Sequence, residues 1–271
     1  MKQITPNVYV ETGNRGCNTG FVVTSDGVLA HDTPMVREVA LKWVEEIAKH
    51  GELCYVVNGE GHGDHIGGNC YMGGIHVGSE GTRELILKAT VEEYKTMIAR
   101  LAPGFTPNPD FHHRAPDITF TDKLTIYLGK HTFRLLAMPG HTPYNVVTYV
   151  PEEGVIFTSD NVVTGMPFFF QSVPDEWVQS LKYLQTLNFD KIVCGHGEVQ
   201  EKSYLQKMIQ IVQGFVAPVA DAVKKGMTLE ETKKTVTYQK EFPELIKMAP
   251  NPAAVGMSVT RIYDYLKNKK K

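Results

Sequence analysis

The feature that most constrains this chain is the run Val56-Val57-Asn58-Gly59-Glu60-Gly61-His62-Gly63-Asp64-His65-Ile66-Gly67-Gly68-Asn69. An apolar, strand-forming stretch ending at Val57 leads into a glycine-rich turn that carries two imidazoles and two carboxylates within six residues. Imidazole nitrogen suits borderline divalent metals and carboxylate oxygen suits harder ones, so the turn is dense in ligand chemistry. Glycine at 59, 61 and 63 lets the backbone fold tightly enough for alternate side chains to converge on one point. A polar surface turn needs no such clustering.

The 271 residues can hold one large α/β domain or two small ones. A hydrophobic content of 42% with 21% charged residues is that of a chain with a real core. A net charge of −2 excludes the electrostatic footprint of a nucleic-acid binder. The basic run Lys267-Asn268-Lys269-Lys270-Lys271 reads as a solvated terminus. No apolar run approaches the ~20 residues of a membrane helix. The chain enters the strand-like Val8-Tyr9-Val10 without the apolar segment of a signal peptide, so a cytoplasmic location is expected, with neither nucleic acid nor membrane as a partner. Cys17, Cys54, Cys70 and Cys194 form no CxxC pair and are expected to be reduced thiols, with Cys17 an unreactive loop residue.

Apolar and turn patterning predicts strands at 8–10, 20–24 and 27–30, then a helix in which Thr33 caps the N-terminus and Pro34 takes the first position. A strand at 54–57 leads into the metal-ligand-rich turn. A short strand follows at 74–78 and a helical region at 80–101. The Pro-rich stretch 102–111 reads as a loop that covers a site, and His112 and His113 as solvated loop residues. Hairpins are expected over 124–138 and 144–159, a helix over 175–187, a strand over 191–194, and helices over 200–224, 228–236 and 252–267. This alternation points to α/β layers. No linker divides the chain, so residues 1–199 are expected to form the catalytic unit, with 200–271 a helical extension packed on it.

Three further strand ends carry the same chemistry: Gly140-His141-Thr142, Ser159-Asp160-Asn161 and Gly195-His196-Gly197. In layered α/β folds strand-end loops gather at one edge. Together with Glu60, His62, Asp64 and His65 they supply enough donors for two cations. The order Glu60-Gly61-His62-Gly63-Asp64-His65, Gly140-His141, Ser159-Asp160, Gly195-His196 resembles the H-x-H-x-D-H pattern and later ligands of the metallo-β-lactamase-fold hydrolases. The likeness covers roughly residues 8–198, with Ala30-His31-Asp32-Thr33-Pro34 matching the aspartate that supports the metal-binding turn. It implies an αββα sandwich of two mixed β-sheets flanked by helices.

The resemblance also implies a ligand set: Glu60, His62 and His141 for one metal, Asp64, His65 and His196 for the other, and Asp160 bridging them. It implies a metal-bridging hydroxide that attacks an ester, thioester, lactone or amide of a small molecule. Glu60 stands where the family has histidine. It is expected to ligate, or else, with Asp64, to serve as a catalytic acid or base. Zinc is the expected metal, and Glu60 opens the way to iron or manganese. An iron-dependent oxygenase or reductase, or a metal-binding protein without hydrolytic activity, are the alternatives. Phe168-Phe169-Phe170, Phe105 and Phe111 are candidates to line an apolar cleft, and Arg15 and Arg114 to bind a substrate carboxylate. The C-terminal helices are expected to cover the cleft or form a homodimer interface.

Overall fold

The computed structural model describes residues 1–105, 110–248 and 252–269. Part of the predicted covering loop (106–109) and the last two lysines of the basic tail therefore lie outside the described residues.

Strands β1 (Lys2–Gln3), β2 (Val8–Glu11), β3 (Thr19–Thr24), β4 (Gly27–His31), β5 (Leu53–Val57), β6 (Ile75–Ser79) and β7 (Ile118–Phe120) form a seven-stranded sheet in that spatial order. The first four are antiparallel, and β4 through β7 run parallel. The second sheet has the order β13-β12-β11-β10-β9-β8, built from β8 (Lys123–Leu128), β9 (His131–Ala137), β10 (Val146–Val150), β11 (Val155–Phe157), β12 (Lys191–Val193) and β13 (Gln200–Glu201). There only β11 and β12 are parallel, joined by helix α5 (Pro174–Thr186). Both sheets are mixed.

Alternation along each strand sorts the core into layers. Leu29 and Val57 point between the sheets, where they meet Phe133, Leu135, Val146, Val150 and Phe157. Their neighbours Val28, Ala30 and Val56 point outward onto Trp43 and Ile47 of helix α1 (Arg37–Ala48). Val147, Tyr149, Ile156 and Ile192 cover the other outer face, under Trp177 and Leu181 of α5 and under the C-terminal helices. The result is helix, sheet, sheet, helix, as the resemblance implied.

Local sequence chemistry explains the departures. Thr33 is not a helix cap. Its hydroxyl donates to the His65 carbonyl and the Asn69 side chain, and α1 begins after Val36 without a side-chain cap. The helical region 80–101 is two helices, α3 (Glu80–Lys88) and α4 (Val91–Leu101), because Thr90 with Glu93 forms a capping box and starts a new helix. After β12 the chain first pairs as β13 before helix α6 (Tyr204–Lys224) begins. Helices α7 (Leu229–Thr235), α8 (Pro243–Lys247) and α9 (Pro252–Asn268) complete the C-terminal part. Among the described residues no helix is long and apolar enough to cross a membrane.

Candidate metal centre

The carboxyl ends of β4, β5, β9, β11 and β12 meet at one edge of the sandwich, and each contributes to one cluster. Past β5, a single helical turn, α2 (Gly63–Ile66), carries Asp64 and His65, with His62 just before it. His141 sits in the loop after β9, Asp160 in a short 3₁₀ turn after β11 and His196 after β12. All seven residues named from the sequence come together.

Glu60 is fully buried; its Oε2 lies 3.0 Å from His62 Nδ1 and 3.9 Å from His141 Nε2, and its Oε1 3.2 Å from His65 Nε2. His62 and His141 face one another at 3.3 Å. Asp160 places Oδ2 3.6 Å from His141 and Oδ1 3.3 Å from both His65 and His196. Asp64 Oδ2 is 3.3 Å from His196. Two groups result, Glu60–His62–His141 and Asp64–His65–His196, with a third, Glu60–His65–Asp160, overlapping both; within each the donor atoms lie within 4.8 Å.

Both oxygens of Glu60, His65 Nε2 and Asp160 Oδ1 are buried without a hydrogen-bond partner. Orphaned acceptors and an imidazole nitrogen of this kind are costly. They are accounted for if the atoms address a common cation, and imidazole with carboxylate is a donor set that divalent metals accept. The residues present fit such ions.

Electrostatics agree. Burial works against the charged form of Asp160, but His196 and His65 beside it hold its carboxyl well below the usual range. Burial likewise opposes charge on Asp64, and His65 and His196 override it downward. In His62 the opposition of burial is overcome by Glu60, which pushes the imidazole up to about 9. In His196 it is overcome by Asp160 and Asp64, which push it up to about 10. His141 goes the other way, because burial outweighs Glu60 and Asp160.

Several supporting residues escaped the sequence reading. Asp32 was expected beneath the turn, and its Oδ1 accepts from the Gly59 amide (2.7 Å) while Oδ2 lies 2.8 Å from His65 Nδ1. Behind it, however, stand Ser159, whose hydroxyl donates to Asp32 at 2.6 Å, and His31, which joins Ser159 (3.0 Å) to Thr148 (2.9 Å). Asp32 and Ser159 both take positive φ, a strained state for side-chain-bearing residues. Gly59 has to lack a side chain here, since a Cβ would fall 1.7 Å from Ser159 Oγ.

Asparagines fasten the donor loops. Asn18 donates to the carbonyls of Cys194 and Gly197, flanking His196. Asn161 accepts from the His141 amide and donates to Met138. Asn58 and Asn69 exchange paired amide bonds across the base of the Glu60–His65 turn. Only Asn161 adjoins a donor in the sequence, beside Asp160, and that adjacency alone does not separate a clamping asparagine from a solvated one.

Other expectations are corrected. Arg114 hydrogen-bonds the carbonyls of Met72 and Gly74, and Arg15 that of Leu101, so both brace backbone instead of offering a carboxylate site. His113 is not merely solvated: it packs edge-on against Phe111 and Tyr94, which stack at 3.9 Å. Phe111 and Phe169 are core residues, whereas Phe168 and Phe170 stack together and Phe170 stays exposed. Cys17, expected to be unreactive, is buried, and this pushes its thiol up to about 12 and makes it a poor nucleophile.

Fold and donor set together define a hydrolase-type metal site at the edge of an αββα sandwich. The chain belongs to the metallo-beta-lactamase superfamily, whose family model matches residues 13–196. It is similar to a Metallo-beta-lactamase type 2 of Elizabethkingia meningoseptica, 22% identical over 79% of this chain and 85% of the relative. A Hydroxyacylglutathione hydrolase of Bartonella quintana is 28% identical over 41% of this chain and 48% of its own length. Among solved structures, the stereoselective inverting sec-alkylsulfatase Pisa1 from Pseudomonas sp. superposes with a TM-score of 0.77 at 14% identity, over 97% of this chain and 49% of that one. That likeness shows the fold, C-terminal helices included. The chain is a metallo-hydrolase of that superfamily.

Proposed function

We propose that the chain hydrolyses a small organic ester, thioester, lactone or amide with two divalent cations, zinc foremost, held by Glu60, His62, His141, Asp64, His65 and His196, with Asp160 between them. The observation that carries this reading is the set of buried, unpartnered donor atoms on Glu60, His65 and Asp160 converging at one point. A bound pair of cations supplies the Lewis acidity that polarises a carbonyl and lowers the pKa of water.

The chain's own residues do the rest. Asp64, kept ionised by its two histidine neighbours, accepts a hydrogen bond from the incoming water and orients it. Glu60 keeps its carboxylate in the same cluster without any competing hydrogen bond. Asp32 fixes the tautomer and ring angle of His65 through Nδ1, leaving Nε2 toward the cluster. His62, Asp64 and His196 are the partly exposed members of the set and mark the face from which substrate arrives.

The relatives named as hydroxyacylglutathione hydrolases favour a thioester within this range. Chelator-stripped protein should lose turnover on a panel of thioesters, esters and lactones and regain it with added Zn(II). Turnover that survives complete metal removal overturns the reading. Three carboxylates in the cluster favour an iron redox enzyme as the second reading. Metal content and an optical spectrum of anaerobically purified protein separate the two.

A further inference from the structure

We infer that Glu60 is a second bridging carboxylate, so that the centre is spanned by two carboxylates, Glu60 and Asp160, and fills as a coupled pair. The inference rests on the reading that these residues hold two cations, and it concerns how they are held.

The two oxygens of Glu60 address different halves of the cluster. Oε2 lies toward His62 and His141, at 3.0 and 3.9 Å, and Oε1 lies toward His65, at 3.2 Å. Asp160 has the same disposition, with Oδ2 toward His141 and Oδ1 toward His65 and His196. Glu60 accordingly belongs to two donor groups, one with His62 and His141 and one with His65 and Asp160.

An ordinary buried ion pair would account for a carboxylate among histidines, but it would satisfy the oxygens. Both oxygens of Glu60 lie at ion-pair distance from histidine nitrogens, 3.0 and 3.2 Å, yet neither has a hydrogen-bond partner, although the residue is fully buried. The turn holds it there. Gly59 lies against Ser159 and His31, and its amide is tied to Asp32. An imidazole at position 60 would present one nitrogen to the cluster and serve one half only. A carboxylate has two syn-oriented oxygens and can serve both, as bridging glutamates do in carboxylate-rich dimetal sites.

Charge follows from this arrangement. Asp64, Glu60 and Asp160 bring three negative charges against two divalent cations, one more than a histidine at position 60 would leave. Such a donor set moves preference toward hard, oxygen-seeking ions such as Mn(II) and Fe(II) relative to Zn(II).

Titrating chelator-stripped protein with Mn(II), followed by electron paramagnetic resonance and calorimetry, tests the bridge without reference to turnover. The wild-type protein should take up two ions in one event. A sample given half its capacity should contain empty and doubly loaded molecules and show the spectrum of an exchange-coupled pair. Glu60→Gln, which keeps one good oxygen, should load in two steps, with the second ion bound ~10–100-fold more weakly.

Glu60→His should also bind two ions, with Asp160 left as the single bridge, and should fill in two resolvable steps with an isolated Mn(II) signal at half loading. Its two-ion capacity would show that the variant site is folded. An isolated Mn(II) signal from half-loaded wild-type protein, or filling of Glu60→His in the same single event as the wild-type protein, overturns the bridge alone. Failure of the wild-type protein to bind two ions of any kind overturns the bridge and the dinuclear reading with it.

Discussion

Asp32 sits behind the donor cluster and touches none of its outward-facing atoms, yet it receives the Gly59 amide, the Ser159 hydroxyl and the His65 ring. Removing its charge leaves His65 free to rotate or change tautomer. Asp32→Asn should therefore weaken metal affinity by ~10–100-fold while leaving the fold intact, as measured by competition with a chromogenic chelator. The pH dependence of the site is also set at this scale. In metal-free protein the carboxylates overcome burial and raise His62 from 6.5 to about 9 and His196 from 6.5 to about 10. A raised pKa contributes stability that is complete below 6.5 and lost as pH climbs through about 9 to 10. Cations compete with protons for the same nitrogens, so metal affinity runs the opposite way and grows over that window. Chelated protein should thus melt at lower temperature at pH 10 than at pH 6.5, while calorimetry shows tighter binding and fewer protons released. The donors themselves were legible in the sequence because histidine and acid beside glycine at strand ends is a sparse pattern. Ser159, Asn18 and Asn161 were not, because nothing in one sequence distinguishes an asparagine that clamps a loop from one that faces water.

At the level of elements, legibility followed the strength of the local pattern. β3, β4, β5 and α5 appear within a residue or two of where periodicity puts them. β1, β7 and β13 are two or three residues long and exist only because a sheet edge accepts them, so no local signal announces them. A threonine before a proline fits a helix cap, and only the folded chain shows the Thr33 hydroxyl engaged by His65 and Asn69 instead. The C-terminal helices carry the clearest energetic prediction. Met208, Val212 and Phe215 of α6, with Val259 and Ile262 of α9, are buried in the same cluster as Val147, Ile156 and Trp177. Ending the chain at residue 199 would expose that whole face, and the 1–199 fragment should aggregate instead of folding, as read by light scattering and circular dichroism. Phe215 stacks with Phe169, Tyr238 and Phe242, so Phe215→Ala should cost about 3–5 kcal/mol in a denaturant titration. We propose on these grounds that 200–271 is part of one folding unit with the catalytic sandwich.

Over the whole molecule, every neighbouring pair of strands in both sheets is consecutive in sequence. Among the described residues the chain passes from the first sheet to the second once, between β7 and β8. Each sheet is thus a local structure, and what holds one to the other is the apolar layer around Leu29, Val57, Phe133 and Phe157, together with the donor cluster at its edge. Glu60, His62, Asp64 and His65 come from one side of that crossing, and His141, Asp160 and His196 from the other. Metal removal should accordingly raise amide hydrogen exchange first in the loops after β5, β9, β11 and β12, before the strand centres respond.

The single crossing has a further consequence for how such a chain can be taken apart. A break at Thr121–Asp122 severs no strand pairing and leaves two fragments, each with a complete sheet and an incomplete set of donors. Neither fragment could grip a cation pair alone, and together they could. Divalent metal would then act as the signal that reunites them, and recovery of the whole protein from its halves would track the free metal concentration.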